Sequence, residues 1–349
     1  MTDQKQPAVA LHGSRLFTAW LKDAQVSLAF TTYQAGKVFF IGLQPDGKLS
    51  VSERTFERPM GLGVGAGRLW MSSIYQLWRF ENFLDPGQIQ KGHDALYVPV
   101  TGHTTGDLDI HDIHEDADGN PVFVATRFNC LATLSERGSF REVWRPPFID
   151  RLAAEDRCHL NGLAMEDGCP AYVTCLSQTN VFEGWREKRR DGGVVLDVAS
   201  GEVVAHGLSM PHSPRVYQDT LWMLQAGTGE FGKIDRDTGH FEALCFLPGF
   251  ARGLVFAGDY AVIGISRPRE NRTFEGLELN ERLEAEGVGA QCAICVVNLR
   301  TGDIEHRLEI GGIIEEIYDV TVLKGVQRPN ALGFRSEEIR FAIKPDALT

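Results

Sequence analysis

Apolar residues along this chain come in runs of about four to eight, each ended by a turn signal and not continued at helical spacing. That punctuation predicts short β-strands. The clearest runs are SLAFTTY from Ser27, KVFFIGL from Lys37 and QCAICVVNL from Gln291. Turn chemistry separates them: the segments from Asp197 (DVASG), Asp235 (DRDTG) and Asn298 (NLRTG) put an Asx residue and a Ser/Thr-Gly pair where hairpins need them.

A longer period lies over the strands. Six segments share one order: a polar lead-in, then Gly, Asp or Arg, then a branched aliphatic residue, a turn and an apolar strand. They start at Arg58 (RPMGLGVGAGRLWM), Asp109 (DIHDIHEDADGNPVFVA), His159 (HLNGLAMEDGCPAYVT), His212 (HSPRVYQDTLWML), Phe250 (FARGLVFAGDYAVIG) and Glu316 (EIYDVTVL). The first four recur at intervals of about fifty residues, a spacing typical of repeat architectures. Four strands per unit and six units predict an all-β, six-bladed β-propeller, one domain over residues 1–349. The unit at Glu316 carries a single strand. Residues 26–57 offer three, so the last blade is expected to be closed by N-terminal strands, which removes an unpaired edge.

Two segments fall outside the blades. Residues 12–25 read as a short helix, with Ser14 as N-cap and Leu16, Trp20 and Leu21 on one face. Residues 267–291 form the longest connection, with a helical stretch around Leu279 to Glu286, and are a candidate lid.

In a propeller the first strand of each blade lines the central channel, so equivalent motif positions form rings. Stacking the six motifs puts Arg58, Asp109, His159, His212, Phe250 and Glu316 at one level. Met60, His111, Asn161, Pro214, Arg252 and Tyr318 fall at the next. Asp109, His159, His212 and Glu316 then supply N and O ligands for a divalent metal: Zn, Fe or Mn, with Ca less suited because imidazoles are present. Without a metal the same groups make an acid and base pair, and a purely structural capping role is the third reading. His111, Tyr318 and Asn161 are candidates for proton transfer and orientation.

Charge narrows the ligand. Of 349 residues, 35 are Lys or Arg and 47 Asp or Glu, a net charge of -12, with no basic stripe for nucleic acid. Against that background Arg127, Arg215, Arg252, Arg267 and Arg269 gather near one mouth, which predicts a small anionic ligand; Arg272, Gln225 and Tyr75 lie on the same side. No apolar run reaches membrane length and the first 25 residues lack a signal-peptide core, so a cytoplasmic protein is expected. Seven cysteines, an odd count, suggest reduced thiols; Cys292 and Cys295 read as two buried thiols on a strand. Cys158, beside His159, is expected to point into its blade, and the Asp116–Gly119 stretch reads as a hairpin turn and not a calcium loop.

The strings FTTYQAGKVFFIG, RPMGLG, DIHDIH, CHLNGLA, MPHSPR, ARGL, EIYDV and RPNALGF, spread from Thr31 to Phe334, resemble an uncharacterised bacterial family, a domain of unknown function placed among the propellers. That resemblance implies the fold and no reaction. More loosely, the chain is similar to six-bladed propellers of the gluconolactonase and strictosidine-synthase-like kind, whose axial ligands are carboxylates and asparagines. His159 and His212 depart from that set. Two functions follow as expectations: a hydrolase or lyase acting on a polar anionic molecule, or a non-catalytic propeller that binds a peptide or partner protein at its mouth.

Overall fold

Each motif leads into the innermost strand of an antiparallel sheet. The computed structural model describes residues 9–267 and 276–345, and in it these strands are Leu62–Gly65, Ile110–Glu115, Leu160–Glu166, Pro211–Tyr217, Phe250–Ala257 and Asp319–Lys324, in blades 1 to 6. Every innermost strand contacts the next, and that of blade 6 contacts that of blade 1, so the ring closes. One apolar cluster fills each interface between neighbouring blades. Strands packed on both faces need no polar side. Val26–Thr32 is accordingly buried at all its positions.

Blade 6 joins both ends of the chain. Its inner strand Asp319–Lys324 pairs with Val26–Thr32, which pairs with Lys37–Leu43, followed by Leu49–Thr55 at the edge. Two further strands extend the clasp. Ala10–Gly13 adds to the outer edge of blade 5 against Leu308–Gly311, and Pro329–Ala331 adds in parallel to the outer edge of blade 1 against Ala95–Tyr97.

The N-terminal helix is shorter than residues 12–25. Helix α1 covers Phe17–Asp23 and buries Phe17, Trp20 and Leu21, one face at helical spacing. Ser14 is not its side-chain cap: its Oγ accepts the Arg307 backbone N–H at 3.1 Å, which extends the edge pairing of the preceding strand. The competing signal was tertiary, an open sheet edge on blade 5.

The innermost strands follow a second rule, visible at one equivalent position near the start of each. Blades 1, 3 and 5 carry Gly61, Gly162 and Gly253 there, and blades 2, 4 and 6 carry Asp112, Ser213 and Asp319. Each polar side chain accepts a backbone N–H from the following blade: Asp112 from Leu163 at 3.1 Å, Ser213 from Gly253 at 3.1 Å, and Asp319 from Leu62 at 2.8 Å. The glycines make the approach feasible. A Cβ on Gly162 would lie 2.3 Å from Pro214 Cδ, and one on Gly253, whose φ is +73°, would lie 2.6 Å from the Val320 nitrogen.

Candidate functional site

Left-handed backbone marks the top of the inner strands. Arg58, Asp109, His159 and Met210 have φ of 49°, 55°, 52° and 45°, a conformation that non-glycine residues adopt at a cost of about 1 kcal/mol and that concentrates at functional sites. The equivalence corrects the expected alignment: the fourth motif starts at Met210, two residues before His212. Strand pairing agrees, because Ile110, Leu160 and Pro211 open the inner strands of blades 2, 3 and 4 in the same way.

The shift moves His212 out of the level of Asp109, His159 and Glu316. It joins Met60, His111, Asn161, Arg252 and Tyr318, one side chain per blade around the axis. The expected metal set of Asp109, His159, His212 and Glu316 is therefore not assembled, and among the described residues no three His, Cys, Asp or Glu side chains converge as ligands. His212 is instead tied to Asn161, whose Nδ2 donates to His212 Nε2 at 3.3 Å while its Oδ1 accepts from Thr174 at 2.8 Å.

Two imidazoles share one arrangement. His111 Nδ1 lies 2.9 Å from the Asp109 carbonyl and His212 Nδ1 lies 2.9 Å from the Met210 carbonyl, both two residues back, so Nδ1 carries the proton in each. The hydroxyl of Thr126, which donates to the Leu160 carbonyl, also receives His111 Nδ1 at 2.8 Å. Burial disfavours the charged rings. It pushes His111 down to about 4 and, aided by the Arg252 charge, holds His212 well below its ordinary value. His111 Nε2 is thereby left with its lone pair.

His159 is built differently. Its Nδ1 lies 2.6 Å from Asp156 Oδ2, which also accepts the Trp185 indole N–H at 3.0 Å. Burial alone would raise the Asp156 carboxyl, but the charge and hydrogen bond of His159, with His111 and Trp185, outweigh it and hold the group below its usual range. A carboxylate can only accept, so it keeps the proton on Nδ1 and directs Nε2 away. Trp185 covers the ring, centroid to centroid 4.3 Å, and His111 meets it edge-on at 5.0 Å.

Tyr318 completes the group. Its ring is 5.4 Å from His111 and stacks on Tyr33 at 5.7 Å. Burial, reinforced by Asp109, pushes its hydroxyl well above the ordinary phenol value, and that buried hydroxyl has no hydrogen-bond partner among the described residues. The Arg252 guanidinium carbon lies 4.9 Å from the Tyr318 ring centre and 5.3 Å from that of Phe250. Asp109 Oδ2 is 3.8 Å from His111 Nδ1, and Glu316 is buried at the same end of the channel.

The expected cluster of arginines resolves into paired groups and one exception. Arg58 and Arg127 both engage Asp107, Arg127 at 3.4 Å, and Arg267 lies 3.8 Å from Glu315. Arg215 is not at this mouth at all; it crosses the middle of the channel to Asp112. Arg269 and Arg272 lie outside the described residues. Arg252 alone has no carboxylate partner among the described residues, and its Nε is buried without an acceptor. Gln225 faces the backbone, accepting Ser209 N–H at 2.8 Å, whereas Tyr75 stands half-exposed on the rim.

Helix α2, Glu278–Ala285, packs Leu279 and Leu283, together with Leu277 just before it, against Trp185, Met210 and Phe250, directly behind the rings that flank His159 and Arg252. Of the candidate lid, residues 268–275 lie outside the described residues. Cys158 is fully buried and its thiol is raised well above the ordinary value by burial, which leaves it unreactive; burial likewise raises Cys292 to about 12 and Cys295 to about 11. His114 turns to Asp112. A cavity of about 570 Å³ opens at the opposite mouth between Val64, Val216, Val255 and Val322. Of its lining cations, Arg215 is already paired with Asp112 and Lys324 stands exposed at a strand end, and no group like His111, His159 and Tyr318 gathers there among the described residues.

Asp156 was beyond reach of the motif alignment. Its only signal is an acidic residue three positions before His159, and its role depends on a loop that turns back over the channel.

A family model described as Domain of unknown function (DUF4915) matches residues 15–332. No curated protein matches the sequence. Among solved structures, a chain of a nidogen/laminin complex is similar with a TM-score of 0.55 at 10% identity, over 86% of this chain and 99% of that one, a likeness that shows the fold alone. A gluconolactonase of Xanthomonas campestris matches with a TM-score of 0.49 at 13% identity over 90% and 87%, and a protein of unknown function from Bacteroides caccae with 0.48 at 10% over 86% and 99%.

Proposed function

We propose, for a chain that belongs to the DUF4915 family, that the His111 end of its channel is the active site of a small-molecule enzyme of hydrolase or lyase type acting on an anionic substrate. The observation that carries this reading is Arg252, a guanidinium with no carboxylate partner among the described residues, 4.9 Å from the Tyr318 ring and close enough to His111 and His212 for its charge to disfavour their protonation. Arg252 would hold the anion. His159, oriented by Asp156, takes a proton at Nε2 and returns it to the leaving atom; His111 Nε2 stands ready to accept a hydrogen bond, and the Tyr318 hydroxyl orients the anion. These steps use side chains only, and the divalent metal expected from the sequence is not needed for any of them.

A peptide- or partner-binding propeller is the second reading, and Val181 and Phe182 favour it, being 67% and 61% exposed on the loop that carries Trp185. One experiment separates the two. The protein is incubated with a fractionated metabolite extract and consumption is followed by mass spectrometry, alongside His159→Gln and Asp156→Asn. The enzyme reading expects a compound consumed by the parent chain and spared by His159→Gln; an extract left unchanged by all three proteins overturns it.

A further inference from the structure

We infer that the anion taken by this mouth is a single carboxylate gripped by Arg252, and that phosphates and polyanions are turned away. This rests on the active-site reading above and narrows its substrate class.

Charge at this mouth favours a monoanion. Arg58 and Arg127 share Asp107, Arg157 is held by Asp150 at 2.6 Å and Glu155 at 2.8 Å, and Arg186 is held by Glu183 at 2.7 Å. Among the described arginines of this mouth, Arg252 is the one without a carboxylate partner. The two imidazoles nearest it do not add to the charge at neutral pH, because burial keeps His111 and His212 uncharged. A dianionic phosphate would bring a second charge that no other described arginine of this mouth is free to balance.

Several polar neighbours of Arg252 can only accept. His111 Nε2 presents a lone pair, and Asp109 stands on the same side as His111 and Tyr318. Both repel surplus oxygens. Among the described residues, Arg252 Nε and the Tyr318 hydroxyl are buried donors without an acceptor, and they lie on adjacent blades. Phenyl rings flank Arg252 on two sides and narrow the approach to it. A planar carboxylate presents two oxygens to the guanidinium fork and can receive the phenol hydroxyl as well, whereas a tetrahedral phosphate carries oxygens that would meet only acceptors or rings.

Matched anions test this on the full chain. Binding of acetate against inorganic phosphate, and of benzoate against phenyl phosphate, is measured by calorimetry for the parent protein, Arg252→Lys, Arg252→Gln and Tyr318→Phe, each first checked for its melting transition. The expected result is carboxylate binding at least tenfold tighter than its phosphate partner, at least tenfold weakened in Arg252→Lys, and weakened less in Tyr318→Phe. Phosphate bound more tightly, in an Arg252-dependent way, overturns the carboxylate assignment and leaves the active-site reading standing. Anion binding that ignores Arg252, or no binding of any of the four, overturns the assignment too; the first of these also removes the anion from the active-site reading.

Discussion

Arg215 of blade 4 reaches across the channel to Asp112 of blade 2 and grips it with two nitrogens, Nη1 2.7 Å from Oδ2 and Nη2 3.1 Å from Oδ1. The same guanidinium donates to the carbonyls of Leu163 in blade 3 and Leu254 in blade 5, each at 2.9 Å. Asp319 of blade 6 holds blade 1 through Leu62. Two neighbouring groups thus pin all six blades at mid-channel.

Losing one half of that pair leaves a buried charge behind. Asp112→Asn and Arg215→Met are each expected to cost about 3–5 kcal/mol in urea unfolding, with the double variant losing less than the two together. A loss below about 1 kcal/mol in both would mean that the channel rehydrates and the pair holds nothing.

Asp319 predicts an unusual pH profile. Burial, then the charge of Asp112, pushes its carboxyl up to about 8 from 3.8. Between those values the folded chain binds more protons than the unfolded one, so stability falls as pH rises. His111, pushed down to about 4, has the opposite sign: it favours folding above the ordinary histidine value near 6.5 and loses that contribution as pH falls towards 4. His212, held well below its ordinary value by burial, has the same sign as His111, so the two imidazoles outweigh Asp319 below pH 6.5; stability is expected to peak near pH 6.5 and to decline towards pH 8 by about 2 kcal/mol. Melting curves of Asp319→Asn, which cannot ionise, should lack the decline above pH 6.5; an unchanged decline would assign it elsewhere.

Helix α2 should behave as a wall of the site. Leu279→Ala removes a buried side chain from the cluster shared with Trp185 and Phe250, at an expected cost of about 2–4 kcal/mol. Hydrogen exchange should rise over 277–288 before it rises in the blades. Uniform loss of protection across the whole chain would show that the helix is part of the global fold and not a separable layer.

Metal content supplies a further check. Protein purified without chelator and a His159→Ala, His212→Ala double variant are expected to carry the same amount of divalent metal, because the two rings sit at different levels and Asn161 occupies His212 Nε2. A stoichiometric ion present in the parent and missing from the variant would restore the four-ligand arrangement.

The ring order and the seam in blade 6 were legible in the sequence because the motifs repeat and the Glu316 unit lacks strands of its own. The site was legible in part. MPHSPR contains two prolines and an arginine, and aligning it on Arg215 placed His212 two residues out of step. The alternation of Gly61, Gly162 and Gly253 with Asp112, Ser213 and Asp319 would have fixed the register, since only one alignment of the fourth motif continues it. Asp156 and the pairing of Arg58 and Arg127 with Asp107 had no such signal. Which carboxylate quenches which arginine is decided by how loops of adjacent blades meet, not by spacing within a motif.

The seam also sets a timetable for synthesis. Val26–Thr32 emerges from the ribosome early, with its inner edge facing nothing, and the strand that completes it, Asp319–Lys324, follows only after most of the polypeptide has been made. At ordinary elongation speeds that gap is roughly 15–60 s. Throughout it, a nascent three-stranded sheet must keep a hydrogen-bonding edge unmatched, so this chain has reason to depend on holding chaperones while it is translated more than a protein whose ends are sealed locally.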